Sequence, residues 1–187
     1  MEQVDQQMPA LTTLTEDEKM LQDAARDFAE SAIKPKVHEI DEQAKLDPDL
    51  VQQFFDMGLM GIEVPEKYSG GGGSFFMSIV AIEQISRVDA SAGVFMDVQN
   101  TLVNNAFLNF GSQEVKERYL PQLATEKVGA YCLSEAGSGS DAFALKTTAK
   151  DEGDHYVLNG SKMWITNANE ADIFLVFATV NPDAGYK

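Results

Sequence analysis

Residues 131–144 read Tyr-Cys-Leu-Ser-Glu-Ala-Gly-Ser-Gly-Ser-Asp-Ala-Phe-Ala, and this stretch decides how the rest of the chain is interpreted. The apolar segment from Val128 to Leu133 predicts a short buried strand that runs into a loop of glycines and hydroxyl residues. Gly137 and Gly139 are expected to take positive φ and to let the backbone approach a ligand. The loop's amides and hydroxyls suit carbonyl or phosphate oxygens, so this is a candidate nucleotide site, although composition alone also describes an ordinary Ser/Gly loop. The hydroxyls belong to Ser134, Ser138 and Ser140.

A second stretch, Asn-Gly-Ser-Lys-Met-Trp-Ile-Thr-Asn at 159–167, carries a hairpin pattern. Asn159-Gly160 lies between apolar residues, and this dipeptide favours a two-residue type I′ turn. A strand after the turn would point Trp164 and Thr166 to one face, where an indole and a hydroxyl suit a flat heteroaromatic ring. The alternative is a core Trp beside a surface Thr.

Composition limits the kinds of partner. The 187 residues include 14 Lys plus Arg against 30 Asp plus Glu, a net charge of −16. Such a surface repels polyanions, so nucleic acid binding is not predicted. Cys132 has no partner for a disulfide and is expected to be a small buried hydrophobe. His38 and His155 lack metal-ligand spacing and no apolar run reaches membrane-span length, so neither a metal site nor a membrane span is predicted.

The first half of the chain carries helical patterns. A Thr-x-x-Glu capping box at 15–18 precedes apolar residues on one helical face, and Pro35 is expected to end that helix. Asp47-Pro48 is typical of an N-cap and first helical position, with Gly58 past the end of that second helix.

Four glycines at 70–73 lack the strand-Gly-x-Gly-x-x-Gly-helix context of a phosphate loop, so a flexible linker is favoured. Ser74 is then predicted to cap a third helix. Further helical patterns run from about 90 to 109 and from 112 to about 125, with Gly111 between them.

Past Val128 the pattern becomes strand-like. Residues 146–150 precede a polar break at 151–154, the Asn-Gly hairpin follows, and residues 173–180 form a continuous apolar strand. A few strands rarely close a stable sheet, so we interpret this half as the start of a β domain with 173–180 at an exposed edge, in a chain that stops at Lys187 as though cut.

The stretch at 131–144 fits every constrained place of the first signature of the acyl-CoA dehydrogenase family: a small residue, an aliphatic, Ser or Thr, Glu, two free positions, small-Gly-Ser-Asp and a later small residue. The stretch at 159–167 follows at the distance that the family uses. The chain resembles this family from Leu14 onward and is most similar to its short/branched-chain type. The segments that carry this similarity are 59–64, 88–91, 99–102, 119–123 and 125–129.

The resemblance implies an α+β fold, in which an N-terminal all-α domain precedes the start of an antiparallel β middle domain and the family's C-terminal helical bundle is missing. The implied boundaries are a tail over 1–13, the helical domain over 14–127 and an incomplete middle domain over 128–187. The implied cofactor is FAD, held by Tyr131, Cys132, Leu133, Ser134, Glu135, Ala136, Gly137, Ser138, Gly139, Ser140, Trp164, Ile165 and Thr166. Ser134 would bond the flavin ring, Trp164 to Thr166 would cover its other side with Thr166 towards N5, and Ser140 and Tyr186 would contact the acyl-CoA.

The family reaction removes an α-proton from an acyl-CoA thioester with a carboxylate base while the β-hydride passes to flavin N5. The resemblance places that glutamate base in the bundle beyond Lys187, so we expect no catalytic base in this chain and no activity from it alone. Glu135 is an alternative base, but an acceptor of backbone N–H groups is the favoured interpretation. The implied substrates are short or 2-methyl-branched acyl-CoAs, as in isoleucine catabolism, and the implied electron acceptor is electron-transfer flavoprotein.

The family is tetrameric, and the member that the chain resembles works in the mitochondrial matrix. Residues 1–9 carry acids and no base, unlike a transit peptide, so a mature form or an internally begun product is expected. The acidic balance is awkward for polyanionic FAD and coenzyme A, unless local amides and dipoles overcome it or cations come from elsewhere. Two alternatives remain: a non-catalytic isoform that binds full-length subunits, and a related acyl-CoA oxidase-like flavoenzyme.

Overall fold

The computed structural model describes residues 13–184, a helical part followed by a strand-containing part. Helix α1 (Glu16–Phe28) begins at the predicted capping box, because the Glu18 amide donates to the Thr15 hydroxyl and the Thr15 amide donates to the Glu18 carboxylate. The predicted stop at Pro35 is wrong. A π turn (Ala29–Ile33) and a 3₁₀ turn (Lys34–Lys36) lead into α2 (Val37–Gln43). Pro35 is tolerated because it lies at the start of the 3₁₀ turn, where a backbone N–H would have no helical acceptor.

The next helices begin at the predicted caps. Asp47 accepts from the Asp49 amide at the start of α3, and Ser74 accepts from the Met77 amide at the start of α4. Gly58 follows α3 with φ 69°, as a residue after a helix commonly does. The helices that follow α2 are α3 (Pro48–Asp56), α4 (Phe75–Ser86), α5 (Ala90–Asp97), α6 (Asn105–Phe110) and α7 (Gln113–Thr125), with a π-helical segment (Val98–Asn104) between α5 and α6.

The largest core cluster lies among α1, α3, α4 and α5. Phe54 is fully buried at its centre, with the Phe28 ring 5.1 Å away edge-on and the Phe95 ring 5.7 Å away. Helix α1 packs on α4 and α4 packs on α5, so these helices form one packed layer, whereas β1 lies against the π-helical segment that follows α5.

The glycine run at 70–73 is not a flexible linker. The amides of Gly71 and Gly73 donate to the carbonyls of Gly61 and Ile62 at 2.9 and 2.8 Å. A Cβ on Gly70 would lie 2.1 Å from the Val64 carbonyl oxygen. Close backbone packing therefore requires glycine at position 70, and the left-handed φ of 63° favours glycine at position 72, so the run is a packed segment between α3 and α4.

The strands are β1 (Gly129–Cys132), β2 (Thr148–Asp151), β3 (Tyr156–Asn159) and β4 (Ile173–Val176). The predicted order of a helical domain followed by a small strand-containing domain is confirmed. Antiparallel pairing holds for β2 with β3, but β1 pairs parallel with β4 in the register Gly129↔Ile173. A parallel pair needs a long crossover, which residues 133–172 supply.

The predicted Asn159-Gly160 hairpin is wrong. Strand β3 instead pairs antiparallel with the preceding strand β2, and the polar turn at 152–155 connects the two. Asn159 does not take positive φ. Gly160 lies against Thr147, where a Cβ would be 2.6 Å from the Thr147 Cα, so close packing, not a type I′ turn, requires this glycine.

The predicted strand at 173–180 ends at Val176, after which the chain leaves its partner β1 and runs beside the start of β2. The Thr179 amide donates to the Thr147 carbonyl and the Thr179 carbonyl accepts from the Ala149 amide. Phe174 and Val176 on β4 are 50% and 37% exposed, so the expected exposed apolar face is present on that strand.

Within residues 13–184, no helix is long and apolar enough to cross a membrane, and no cluster of three or more His, Cys, Asp or Glu is arranged to hold a metal ion.

Candidate cofactor site

The loop after β1 closes as a tight turn from Glu135 to Ser138. The Glu135 amide donates to the Ser138 carbonyl at 2.9 Å, and the Ser138 amide returns a bond to the Glu135 carbonyl at 3.1 Å. The Ser138 hydroxyl is buried and donates to the Asp141 carbonyl, so it closes the loop and does not face outward. Ala136 and residues 139–140 are exposed and form a rim of small residues.

Neither Gly137 nor Gly139 has positive φ, so the predicted left-handed backbone at these glycines is wrong. The Glu135–Ser138 turn closes without left-handed backbone at either position. A Cβ added at either glycine would meet nothing within 4 Å. The glycines therefore keep one face of the loop backbone open to the outside, which leaves the predicted close approach of a ligand as the remaining reason for them.

Glu135 and Lys162 form a nearly buried ion pair behind this loop. Their side chains are 8% and 11% exposed, and the Lys162 Nζ lies 2.8 Å from the Glu135 Oε1. The same ammonium donates to the Leu133 carbonyl at 3.0 Å. The Glu135 carboxylate also accepts the backbone amides of Lys146 and Thr147 at 2.7 and 3.0 Å. Glu135 is thus an acceptor of backbone N–H groups, as the favoured interpretation of the sequence held.

Burial acts to raise the pKa of the Glu135 carboxyl, but the hydrogen bonds from Lys162 and from two backbone amides outweigh it and lower the pKa from 4.5 to about 2. The carboxylate is therefore ionised at neutral pH and has little basicity. Burial raises the pKa of the Cys132 thiol, which keeps it neutral, as expected of a small buried residue.

The segment that follows Lys162 crosses behind the loop and then turns outward. The Met163 amide donates to the Ser134 carbonyl at 2.9 Å, so the two predicted stretches lie side by side. Trp164 is 87% exposed and has φ 59°. The predicted strand alternation of Trp164 and Thr166 is wrong, because this backbone is not extended. The alternative of a core Trp is wrong as well.

Asn167 ends the exposed segment. It is buried, has φ 67°, and its amide nitrogen donates to the carbonyls of Phe95 in α5 and Gly129 in β1. Thr166 is exposed, and together with Asn167 it borders an open cleft of about 390 Å³ whose other wall includes Ala44, Lys45 and Asp89.

The remaining predicted residues lie on or beside β1. Tyr131 is half-buried with its ring 4.8 Å from that of Phe177, and burial raises the pKa of its hydroxyl. Leu133, Ser134 and Ile165 are half-buried, and Ser140 is exposed on the rim. Tyr186 lies outside the described residues. The structure therefore brings the residues at 131–140 and 164–166 into two adjoining segments.

Sequence reasoning missed three polar residues that build this site. Lys162 and Asn167 lie in the stretch 159–167 and Gln99 lies in the segment 99–102, but the sequence pattern assigned no role to any of the three. The Gln99 side chain accepts from the Gly129 amide at 2.7 Å and donates to the Leu123 and Lys127 carbonyls, so it fixes the start of β1 on the π-helical segment. The one available signal was that residue 167 is an Asn, because Asn tolerates positive φ better than most residues.

Comparisons with known proteins agree with this fold. Residues 15–127 match the family model "Acyl-CoA dehydrogenase, N-terminal domain", and residues 130–187 match "Acyl-CoA dehydrogenase, middle domain". These two matched domains define the class of protein as the acyl-CoA dehydrogenases, which are flavoprotein oxidoreductases. The chain belongs to the acyl-CoA dehydrogenase family.

By sequence, the chain is 50% identical over 177 residues to the short/branched chain specific acyl-CoA dehydrogenase, mitochondrial, of Rattus norvegicus. The match covers 95% of this chain and 41% of that relative. The chain thus spans less than half the length of this relative.

Three solved structures are similar. Butyryl-CoA dehydrogenase from Megasphaera elsdenii is 34% identical with a TM-score of 0.89, over 95% of this chain and 47% of that one. A chain of a structure titled for the electron transferring flavoprotein of Acidaminococcus fermentans is 40% identical with a TM-score of 0.89, over 92% and 46%. A glutaryl-CoA dehydrogenase from Mycobacterium smegmatis in complex with FADH2 is 32% identical with a TM-score of 0.83, over 88% and 43%.

Proposed function

We propose that this chain forms the flavin-binding part of an FAD-dependent acyl-CoA dehydrogenase that converts short or 2-methyl-branched acyl-CoA to the trans-2-enoyl-CoA. The observation that carries the proposal is Trp164, an 87% exposed indole with φ 59° beside an open loop of small residues. Left-handed backbone at a bulky residue is rare, and strained residues of this kind cluster at ligand sites. The glutaryl-CoA dehydrogenase structure with FADH2 supports FAD as the ligand.

The residues present fit a flavin. The indole and the Thr166 hydroxyl suit one side of a flat ring, and the Ser134 hydroxyl suits a polar atom of the ring. The open backbone at Gly137 and Gly139 suits a polar chain that needs close approach. The exposed and half-buried residues of 131–140 and 164–166 are the proposed contacts of FAD, while Cys132, Ser138 and the side chain of Glu135 are buried and hold the loop from behind. Ser140 and Tyr186 are the proposed contacts of the acyl-CoA.

The charge balance of the site also suits an anionic cofactor. Lys162 neutralises Glu135 directly behind the loop, so this carboxylate adds no net charge there. The loop amides then act on the ligand at close range, while exposed carboxylates elsewhere are screened by salt.

When bound, FAD accepts the electron pair released from the substrate. The chain's own residues bind and orient the ring and the thioester. Glu135 does not serve as the base, because its carboxylate is buried, ion-paired and has a pKa of about 2. We propose that the base comes from the part of the family's fold that this chain does not span, so that the chain alone does not turn over substrate.

The remaining features of the proposed function follow from relatives. The rat relative's name supports the mitochondrial matrix as location and the short/branched-chain substrate class, and hence isoleucine catabolism. The structure titled for an electron transferring flavoprotein supports such a flavoprotein as the electron acceptor. A homotetramer is proposed by analogy with the family.

Titration with FAD tests the cofactor assignment. Trp164 is the chain's one tryptophan, so its fluorescence reports directly on a ring placed beside it. Saturable quenching by FAD is expected, with a weak affinity for this chain by itself. The Trp164→Phe variant serves as the control and should show no such signal. Absence of quenching in the parent chain, or an equal signal in the Trp164→Phe variant, contradicts the assignment.

A further inference from the structure

The exposed tripeptide Trp164-Ile165-Thr166 is held at both of its ends by nearly buried polar side chains. Upstream, Lys162 is bonded to the Leu133 carbonyl and the Glu135 carboxylate, and the Met163 amide is bonded to the Ser134 carbonyl. Downstream, Asn167 is bonded to the carbonyls of Phe95 and Gly129. The tripeptide thus spans two fixed points that belong to different parts of the fold.

We propose that Lys162 and Asn167 are positioning residues, which fix the Trp164 indole relative to the loop at 134–140 so that the two segments present one surface to the flavin. This inference rests on the proposed function for its ligand. It does not rest on that function for the anchoring itself, which is a property of the protein without cofactor.

Neither anchor has the exposure of a residue that contacts a ligand directly. The Lys162 side chain is 11% exposed and Asn167 is 7% exposed, while Trp164 between them is 87% exposed. The side-chain nitrogen of each anchor also donates its hydrogen bonds to backbone carbonyls or to Glu135. Their effect on a ligand must therefore pass through the segment that they hold.

The backbone of Trp164 shows why anchors are required. An exposed residue with φ 59° gains little from burial and would relax to negative φ if its neighbours permitted it. Asn167 adopts φ 67° at the other end, and its amide bonds to α5 and β1 hold that turn closed. Lys162 reaches residues 133 and 135, so its bonds set the register of the tripeptide against the loop.

The pairing of Lys162 with Glu135 also fixes the loop itself. Glu135 accepts the amides of residues 146 and 147, which lie at the far end of the same loop. Loss of the ammonium leaves a nearly buried carboxylate without its cation, which is strongly unfavourable. Both sides of the proposed flavin surface therefore depend on one cation.

The test uses the 187-residue chain with Lys162→Met, Asn167→Gly and a matched control, Lys36→Met. Glycine at 167 keeps the left-handed backbone accessible and removes only the amide side chain. Lys36 forms a part-buried ion pair with Asp47 at the N-cap of α3, and this pair includes no residue of the loop or of the tripeptide. Three quantities are measured: far-UV circular dichroism, the fluorescence anisotropy of Trp164 without FAD, and the Kd for FAD.

Lys162→Met and Asn167→Gly are expected to keep the helical circular dichroism, to increase the fast local motion of Trp164, and to weaken FAD binding by roughly tenfold or more. Lys162→Arg, which keeps a cation, should restore most of the affinity. Lys36→Met should lower the unfolding midpoint without changing the anisotropy or the Kd.

Trp164 motion equal to that of the parent in both anchor variants overturns the proposal, as does the same change in Lys36→Met. The outcome is distinguishable from failure of the proposed function. A parent that binds no FAD, with Trp164 still loosened by both anchor variants, contradicts the flavin assignment and leaves the anchoring in place.

Discussion

The Asn167 amide donates to the Gly129 carbonyl at 3.2 Å, which ties the turn after Trp164 to the first residue of β1. Gly129 is itself held by the Gln99 side chain through its amide at 2.7 Å. One residue at the start of β1 is therefore fixed from the helical part through its amide and fixes the exposed segment through its carbonyl. The candidate site is built on the junction of the two parts of the fold.

Replacing Trp164 with glycine and with alanine is expected to separate strain from function. Because φ is 59°, Trp164→Gly should be more stable than Trp164→Ala by about 1 kcal/mol, the reverse of the order at an ordinary position. Both variants should bind FAD more weakly than the parent. Urea unfolding and flavin fluorescence measure the two effects, and equal stability of the two variants contradicts the strained backbone.

The stability of the chain should depend on pH through Glu135. Its pKa is lowered from 4.5 to about 2 in the folded chain, so its contribution is fully present above about pH 4.5 and is lost as the pH falls towards 2. The difference in the free energy of unfolding between the parent and Glu135→Gln should therefore shrink over that window. A difference that stays constant down to pH 2.5 contradicts the assigned ion pair.

Two glycine-to-alanine substitutions should have opposite profiles. Gly160→Ala places a Cβ against the Thr147 backbone and is expected to lower the free energy of unfolding by roughly 1–3 kcal/mol. Gly137→Ala meets open space and should change stability by less than about 0.5 kcal/mol, while weakening FAD retention. Thermal melts and FAD titration distinguish them. A strong loss of stability in Gly137→Ala would show that the added Cβ meets other protein atoms, which contradicts an open face of the loop.

The chain alone should not reduce a dye acceptor with 2-methylbutyryl-CoA. Without a positioned base, the general-base contribution of about 10²–10⁴-fold is absent before any loss of positioning is counted. Activity is expected when the remainder of the family's fold is supplied, and Thr166→Val should then lower it. Measurable turnover by residues 1–187 that Glu135→Gln abolishes would make Glu135 the base.

The sequence by itself determined the family and the order of the elements. The caps at Thr15, Asp47 and Ser74 were readable because each satisfies a local amide within three residues. The signature at 131–144 likewise located the loop, and the acceptor role of Glu135 was anticipated from its place beside backbone amides.

The tertiary structure alone decided the pairing of the strands and the conformation of the site. The parallel partner of β1 lies forty-odd residues away, and a local pattern carries no information on such a choice. Gly160 and Gly70 lie in stretches that looked like a turn and a linker, but they are glycines because other backbone packs against them. The left-handed backbone of Trp164 also depends on contacts between residues that are distant in sequence. Buried side chains distant in sequence, Lys162 on Glu135 and Asn167 on Gly129, hold it where local preference would not.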